Sequence, residues 1–208
     1  MIEIHSITDV MECLDGLKAV VFDLDDTLYS EKEYVRGGFR AIAQILPQVE
    51  NSEAKLWKAF ENKKSAIDEV LNAEGIYTDK LKQKCLNTYR YHQPEIYLYD
   101  GVEKLLVELQ NRGYLLGIIT DGRPDGQKTK IKTLRLDMYV RHIIVTDEFG
   151  GIEYRKPNEK AFWHMKEQFG VEFVEMCYVG DNIKKDFLAP EKLGMRAIFF
   201  RNPDGIYC

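Results

Sequence analysis

The feature that most constrains this chain is a short apolar run that ends in a cluster of carboxylates. The predicted strand covers residues 18–22, and Asp23, Asp25 and Asp26 follow it directly. An uninterrupted apolar run of this length indicates a strand buried on both faces, as in the middle of a parallel sheet. Because such sheets bind ligands at the carboxyl ends of their strands, the acidic residues are placed where a site is expected.

Later apolar runs are also predicted to be strands, and helical patterns separate them. An alternation of strands and helices is typical of an α/β protein whose parallel sheet is covered by helices on both faces. We therefore expect a Rossmann-like parallel sheet core flanked by helices. The later runs are residues 114–119, 143–145, 176–179 and 197–200.

Two of the intervening helices carry start and stop signals. Asp100 and Glu103 have the spacing of a capping box, and Gly113 is expected to end that helix. Asn158 is predicted to cap another helix, which Gly170 ends. Both helices are expected to cover the sheet.

Residues 31–93 interrupt this alternation, because they contain helical patterns and no convincing strand. The first predicted helical face ends at Pro47, the second runs from near Ser52 to Gly75, and the third runs from near Thr78 to a point before Pro94. A small α-helical cap domain is therefore predicted, inserted after the first strand.

The predicted boundaries divide the chain into a core of residues 1–29 and 96–208 and a helical cap of residues 30–95. A chain of 208 residues is long enough for one domain and such an insert. Residues 1–15 carry no clear pattern, and we expect from them only an extra helix or strand against the core.

Composition limits the partners of the chain. A hydrophobic content of 45% and a charged content of 30% fit a soluble globular protein and argue against disorder. A net charge of −5 without a long basic run makes a nucleic-acid partner unexpected. No run approaches the roughly 18 apolar residues that span a bilayer, so no membrane partner is expected. Nothing implies an oligomer.

The start of the chain and its cysteines favour a cytoplasmic location. Residues 1–15 carry acids rather than the basic start and apolar run of a secretion signal. The cysteines form no C-x-x-C pair, so we predict free thiols in a reducing compartment. These cysteines are Cys13, Cys85, Cys177 and Cys208.

Polar side chains follow the later strands as well as the first. Taken singly, such residues are usually turns, helix caps or surface groups. Their joint occurrence at strand ends is better explained by one site at one edge of the sheet. They are Thr120, Asp121 and Gly122 after the second strand, Lys156 after the third, and Asp181, Asn182 and Asp186 after the fourth.

This combination of side chains suits the cleavage of a phosphate monoester. The ester is a dianion, so a divalent cation held by carboxylates is needed to offset its repulsion of an anionic nucleophile. Mg²⁺ prefers oxygen ligands, and Asp23 and Asp181 can supply them. One carboxylate must attack phosphorus, and Asp25 is placed to protonate the leaving oxygen and then to activate water. Thr120 and Lys156 can bind the remaining phosphate oxygens.

The same residues carry a resemblance to the haloacid dehalogenase-like hydrolase superfamily. Four motifs of that superfamily occur in order along the chain, and the match spans the whole predicted core. The motifs are Asp23-x-Asp25-x-Thr27, then Thr120, then Lys156, and then Gly180-Asp181 with Asp186. The helices inserted after the first motif resemble those of the members whose cap closes over the substrate and excludes water.

The resemblance implies a role for each motif residue. It makes Asp23 the nucleophile and a magnesium ligand, and Asp25 the general acid and base, whose backbone carbonyl also binds the metal. It makes Thr120 and Lys156 phosphate-binding residues, with Lys156 also holding Asp23. It makes Asp181 a metal ligand. It makes Asp186 a residue that holds the metal-bound waters or Lys156, and Asn182 can join it in this role.

Further residues are predicted to contact the substrate: Thr27, Asp121, Gly122 and Arg90. Arg90 belongs to a segment of the cap that is rich in aromatic and basic side chains. Asp121 departs from the resemblance, because many relatives carry Asn at this place. The hydroxyl of Thr120 is unaffected, but Asp121 adds a negative charge near the phosphate site.

Other classes of protein also use some of these residues, and the sequence argues against two of them. A dehalogenase has no use for Asp25, since a halide leaves without a proton. A receiver domain would carry its phosphorylated aspartate after a middle strand and would lack the helical insert. A phosphomutase remains open, with Lys63, Lys64 or Arg90 binding a second phosphate, as does a binding module without catalysis. The expected substrate is a small soluble phosphomonoester: a sugar phosphate, a nucleoside monophosphate or a phospho-acid.

Overall fold

The computed structural model describes residues 1–206 of the chain. Its strands are β1 (Ile2–Ile4), β2 (Ala19–Phe22), β3 (Leu115–Thr120), β4 (His142–Val145), β5 (Met176–Gly180) and β6 (Arg196–Phe200). Its α-helices are α1 (Glu31–Gln44), α2 (Ser52–Glu61), α3 (Ala66–Ala73), α4 (Asp79–Tyr91), α5 (Val102–Asn111), α6 (Pro124–Thr133), α7 (Lys160–Phe169) and α8 (Leu188–Leu193).

The strands form one parallel sheet in the order β1-β6-β5-β2-β3-β4. β2 lies between β5 and β3, with Phe22 opposite Val179 on one side and Ile118 on the other. The predicted Rossmann-like parallel sheet flanked by helices is confirmed. All the strands end at the same edge, so the residues that follow β2, β3 and β5 are brought together.

The sheet is closely packed against helix α7. Phe162 and Met165 of that helix are almost fully buried among strand residues. Gly117 on β3 permits this contact, because a Cβ there would lie 2.7 Å from the sulfur of Met165. Burying a side chain of this size stabilises the fold by about 1.5–3 kcal/mol. The helix therefore fixes the position of the strands that carry the site.

Residues 1–15 add a strand and a 3₁₀-helix to the core. β1 pairs with β6 at the edge of the sheet, and a 3₁₀-helix over Ile7–Cys13 follows it. Ile7 and Val10 of that helix are buried. The strand is only three residues long, so no alternation of apolar residues revealed it.

Of the two predicted helix caps, the one at Asp100 is wrong and the one at Asn158 is observed. The capping box of Asp100 and Glu103 is wrong, because α5 starts at Val102 and its N-cap is Gly101 at φ +83°, with no side-chain cap. Asp100 is thus one residue too early to cap the helix. Asn158 does accept a hydrogen bond from the backbone N–H of Lys160, at 2.9 Å, where α7 begins.

The chain divides into two compact units. One comprises Met1–Glu31 and the residues from Ile96 onward, and the other comprises Lys32–Glu95. The sequence boundaries were placed at residues 29/30 and 95/96, close to these points. The sheet lies in the first unit, and the second contains helices α2, α3 and α4 and most of α1.

The second unit differs from the sequence expectation in one respect. The single helical face expected up to Gly75 is two helices, α2 and α3. The break lies at Lys63, whose φ is +56°, with backbone hydrogen bonds from Lys63 to Phe60 and from Lys64 to Ala59. This pattern is a Schellman motif, in which a left-handed residue ends a helix, and it is adopted here without glycine.

Glycine allows two helices of the second unit to approach closely. A Cβ on Gly38 of α1 would lie 2.4 Å from the ring of Tyr89 on α4. Thr78 caps α4, because its hydroxyl accepts from the backbone N–H of Leu81 at 3.1 Å. The predicted start of the third helical segment is therefore observed.

Two further predictions concern the whole chain. Within residues 1–206 no helix has the length and apolar character needed to cross a membrane. Cys13, Cys85 and Cys177 are free thiols. Cys208 lies outside the described residues.

Candidate active site

Asp23 stands at the carboxyl end of the central strand. Its backbone N–H donates to the carbonyl of Val179 at 2.8 Å, which extends the pairing of β2 with β5 by one residue. The side chain is 3% exposed. Burial raises the pKa of Asp23 to about 6, although the positive charge of Lys156 lowers it in part.

Lys156 binds two of the predicted carboxylates. Its Nζ lies 2.7 Å from Oδ1 of Asp23 and 2.8 Å from Oδ1 of Asp186, and it donates to the hydroxyl of Tyr178 at 2.7 Å. Burial alone would lower the pKa of Lys156, but Asp186 and Asp23 raise it well above its usual value. Lys156 is therefore a fixed positive charge beside Asp23.

Tyr178 was not singled out from the sequence. It lies on β5 and is fully buried, and its hydroxyl also donates to the carbonyl of Ile119 at 3.3 Å. A buried tyrosine hydroxyl needs such partners. An aromatic residue in a strand is normally core, so nothing in the sequence distinguished it.

Asp23, Asp181 and Asp186 form a buried carboxylate cluster. One oxygen from each lies within 4.8 Å of the others. Burial, and then the charges of Asp23 and Asp186, raise the pKa of Asp181 to about 9. Three carboxylates around one lysine leave an excess of negative charge, and hard oxygen donors are the ligands that Mg²⁺ prefers. The residues present therefore fit a magnesium ion.

Within this cluster Asp186 is held by the protein. Its Oδ1 contacts Lys156, and its Oδ2 accepts from the backbone N–H of Asn182 at 2.9 Å. Gly180 permits this approach, because a Cβ there would lie 2.6 Å from Oδ2 of Asp186. Asp186 thus orients Lys156, while Asp23 and Asp181 face the same small region.

Asp25 receives hydrogen bonds on both carboxylate oxygens. Tyr29 donates its hydroxyl to Oδ1, and Lys130 Nζ lies 2.7 Å from the same oxygen. Gln127 donates its side-chain amide to Oδ2 at 2.8 Å. Burial would raise the pKa of Asp25, but the charge of Lys130 and these hydrogen bonds lower it below its usual value.

Thr120 is connected to Asp25 through Gln127. The amide of Gln127 donates to the hydroxyl oxygen of Thr120 at 2.5 Å as well as to Asp25. Gly122 has φ +135°, and a Cβ there would lie 3.3 Å from the Gln127 side chain. The glycine predicted to bind substrate therefore makes room for this bridge.

Gln127 and Lys130 were missed by sequence reasoning. Both lie on α6, which begins just after the Thr120 loop, and both are buried. Two long polar residues three positions apart share one helix face, and this spacing was the available signal. It was weak, because such residues usually lie on a solvated face.

Asp121 is neutralised by its surroundings. Its Oδ1 accepts from the hydroxyl of Thr146 at 2.9 Å and from the backbone N–H of Lys156 at 3.0 Å, and its Oδ2 lies 3.0 Å from Lys185 Nζ. Burial opposes ionisation, but Lys156 and Lys185 lower the pKa of Asp121 below its usual value. The added charge is balanced locally, and a contact of Asp121 with substrate stays a prediction.

Thr27 and Arg90 are the other residues predicted to contact the substrate. The hydroxyl of Thr27 is buried and has no hydrogen-bond partner within residues 1–206. Arg90 lies in the last turn of α4, in the second unit. Roles for both in substrate binding stay predictions.

Asp26 fixes the shape of the loop that follows Asp25. It has the left-handed φ of +54°, and its Oδ1 accepts from the N–H of Glu31 at 2.8 Å. Its Oδ2 accepts from the N–H of Ile206 at 2.7 Å, and its carbonyl accepts from the amide of Asn202 at 2.8 Å. Of the three acids in the first motif, Asp26 is the one that holds backbone.

Residues 20–200 match the model of the haloacid dehalogenase-like hydrolase family, and the chain belongs to that family. The sequence resemblance is therefore confirmed.

Curated relatives are named as phosphatases. A glyceraldehyde 3-phosphate phosphatase of Pyrococcus abyssi is 30% identical over 203 residues, which cover 89% of this chain and 82% of that protein. A glyceraldehyde 3-phosphate phosphatase of Methanocaldococcus jannaschii is 29% identical, covering 86% and 82% of the two chains. The interpretation of this chain as a phosphatase of the family is confirmed at that level.

A solved structure with the same fold is the HAD-hydrolase YfnB from Bacillus subtilis bound to magnesium. The two chains share 22% identity with a TM-score of 0.67, over 88% of this chain and 86% of the other. At this identity the likeness shows the fold.

Proposed function

We propose that the protein is a magnesium-dependent phosphomonoester hydrolase that acts through an aspartyl-phosphate on Asp23. The observation that carries the proposal is the pairing of the buried Asp23 carboxylate with Lys156 at 2.7 Å, in a cluster with Asp181 and Asp186. A nucleophilic carboxylate must be ionised, and Lys156 favours that form against the effect of burial.

The chemistry divides into two displacements at phosphorus. In the first, a carboxylate oxygen of Asp23 bonds to phosphorus, and the ester oxygen departs with a proton from Asp25. Asp25 must carry this proton into the step, because Lys130 favours the ionised form of the free carboxyl. In the second, Asp25 takes a proton from water as that water attacks phosphorus. The Asp23–phosphate bond then breaks, and inorganic phosphate and the free carboxylate result.

The remaining residues bind phosphate and metal. Thr120 accepts from Gln127, so its own proton can be donated to a phosphate oxygen. Mg²⁺ would be held by Asp23, Asp181 and the backbone carbonyl of Asp25, and would offset the charge of the phosphate. Asp186 and Asn182 keep Lys156 and the metal ligands in position.

The proposed substrate is a small phosphorylated metabolite. The relatives named glyceraldehyde 3-phosphate phosphatase make a triose phosphate the first compound to test. Sugar phosphates, nucleoside monophosphates and phospho-acids, the substrates expected at the sequence level, are the next compounds to test. The second unit is proposed to act as the specificity cap, with Arg90 as a contact for the substrate.

A phosphate-release screen tests the proposal. The wild-type protein is assayed against glyceraldehyde 3-phosphate and other small phosphomonoesters, with Mg²⁺ and with a chelator. We expect phosphate release from at least one ester, lost on chelation and in Asp23→Asn. Asp15→Asn, at an exposed carboxylate, is the matched control and should retain activity. A phosphate moved within a sugar phosphate, without release, would instead support the phosphomutase alternative.

A further inference from the structure

Helix α6 supplies two buried polar side chains that belong to none of the four motifs. Gln127 and the side chain of Lys130 are 3% and 7% exposed. A lysine is rarely buried unless it is paired, since removing its charge from water is costly. Lys130 is paired with Asp25, and this contact accounts for its burial.

The two side chains bind different carboxylate oxygens of Asp25. Lys130 lies 2.7 Å from Oδ1, and Gln127 donates to Oδ2 at 2.8 Å. Residues three apart lie on one face of a helix, so a single rigid element presents both groups. A carboxylate bound at both oxygens cannot rotate about its Cβ–Cγ bond without breaking one of these bonds.

Gln127 also relates Asp25 to the phosphate-binding hydroxyl. A side-chain amide has two N–H groups, and the second is directed to Thr120 Oγ1, at 2.5 Å. The distance between the Asp25 carboxylate and the Thr120 hydroxyl is therefore set by one planar amide. The amide therefore holds the group that protonates the ester oxygen at a fixed position relative to the group that binds the phosphate.

We propose that Gln127 and Lys130 are positioning residues that aim Asp25 at the ester oxygen, and so adapt the site to alkyl phosphates, whose leaving group needs a proton. The proposal rests on the proposed function, because it assumes that Asp25 is the general acid. It adds two residues outside the motifs, and it gives a structural reason why the site should favour esters of aliphatic alcohols.

The proposal makes the two side chains matter to a different extent for different esters. An aliphatic alkoxide is a poor leaving group and depends on proton donation, whereas p-nitrophenolate departs without it. Misaiming Asp25 should therefore slow the cleavage of an alkyl phosphate much more than that of p-nitrophenyl phosphate. A purely structural role would slow both to the same extent.

The test compares kcat/KM for glycerol 3-phosphate and p-nitrophenyl phosphate in Gln127→Leu and in a Tyr29→Phe/Lys130→Met double variant. Tyr29 is included because it also donates to Oδ1 of Asp25. The ratio kcat/KM reports cleavage of the ester and excludes the later hydrolysis of the aspartyl-phosphate, which is common to both esters. Because general acid catalysis contributes about 10²–10⁴-fold, we expect kcat/KM to fall roughly 10- to 100-fold for the alkyl ester and less than about threefold for the aryl ester.

Lys128→Met is the control on the same helix, because Lys128 is exposed and pairs with Glu148. It should leave both rates unchanged.

Crystal structures of the same variants give a second readout that needs no turnover. We expect the Asp25 carboxylate to rotate in Gln127→Leu and in the double variant. The double variant is used because Tyr29 alone would still hold Oδ1 in Lys130→Met. Equal loss of both esters in folded variants, or an unmoved Asp25, would overturn the proposal. A wild type that hydrolyses neither ester would count against the proposed function, and the position of Asp25 in the variants would still decide whether the two side chains hold it.

Discussion

The carboxylate of Asp121 lies 3.0 Å from the ammonium group of Lys185, directly after the end of β3. The Asp121 side chain is 9% exposed and that of Lys185 is 29% exposed. The two residues lie 64 positions apart in the chain, so the pair connects the loop after β3 to the loop after β5. It therefore contributes to the alignment of the strand ends.

Replacing Lys185 by Met should destabilise the protein. The substitution removes one of the two positive charges, Lys156 and Lys185, that offset the largely buried Asp121 carboxylate, and a loss of about 1–2 kcal/mol in the free energy of unfolding is expected. Adding Asp121→Asn should restore most of it, because an amide oxygen can accept from Thr146 and from the N–H of Lys156 as Asp121 does.

Urea denaturation of the wild type, both single variants and the double variant measures this coupling. Lys184→Met is the control, since Lys184 is an exposed neighbour. Additive losses in the double variant would show that the two charges are independent of each other.

Asn202 is expected to stabilise the loop that follows Asp25. Its amide donates to the carbonyl of Asp26 and to the hydroxyl of Tyr99, both at 2.8 Å. Asn202→Ala leaves the buried Asp26 carbonyl with one donor fewer, and Asp26 has a strained φ of +54°. We expect a loss of about 1–3 kcal/mol in stability and a lower kcat.

Thermal unfolding and phosphate release are to be measured on Asn202→Ala beside Asn111→Ala, an exposed asparagine at the end of α5. If both variants behave as the wild type, the hydrogen bonds to Asp26 do not govern the shape of the loop.

Much of the sheet followed from local patterns. The runs that form β2 to β6 are continuous and apolar because the sheet is covered by helices on both faces. The predicted site residues lie in the loops that follow the carboxyl ends of these strands. Asp23, Lys156, Asp181 and Asp186 come together because parallel strands end at one edge. That consequence depends only on strand order and can be predicted without side-chain coordinates.

The features that sequence reasoning missed have two causes, which are contacts between distant residues and unusual local backbone conformations. Lys130 contacts Asp25 across 105 positions, and nothing near Lys130 in the sequence distinguishes it from a surface lysine. The break at Lys63 needs a left-handed residue that is usually glycine. The capping box at Asp100 failed by one residue, because the chain turns at Gly101 instead.

Glu31 should make stability fall as the pH rises. Burial, and then the negative charges of Asp25 and Asp26, raise the pKa of Glu31 to about 8 from an ordinary 4.5, while Lys130 and Lys185 oppose this. The unfolded chain releases this proton at lower pH than the folded one. The protonated carboxyl therefore adds stability that is fully present below about pH 4.5 and is lost as the pH rises through 8.

Glu31→Gln keeps the neutral form at every pH. Relative to wild type, we expect the variant to gain roughly 1 kcal/mol or more at pH 9 and to show no gain at pH 4. Urea denaturation at the two pH values measures the difference, and Glu33→Gln, two residues further along α1, is the control. A gain that is the same at both pH values would show that folding leaves the pKa of Glu31 unchanged.

Magnesium should stabilise the folded protein through the carboxylate cluster. A ligand that binds only the folded state at 100 times its Kd adds about 2.7 kcal/mol, so Mg²⁺ should raise the Tm of the wild type. Asp181→Asn removes one ligand and part of the excess negative charge that makes the cluster attractive to a cation.

We therefore expect Asp181→Asn to be at least as stable as the wild type without Mg²⁺. Burial, Asp23 and Asp186 raise the pKa of Asp181 to about 9, so folding at neutral pH costs the energy of protonating this carboxyl, and a neutral amide avoids that cost. The same variant should show little further rise in Tm when Mg²⁺ is added. Thermal scans with and without a chelator, with Asp15→Asn as the exposed control, measure both effects. An equal rise in Tm in Asp181→Asn and wild type would place the ion elsewhere, since the cluster would then contribute nothing to its binding.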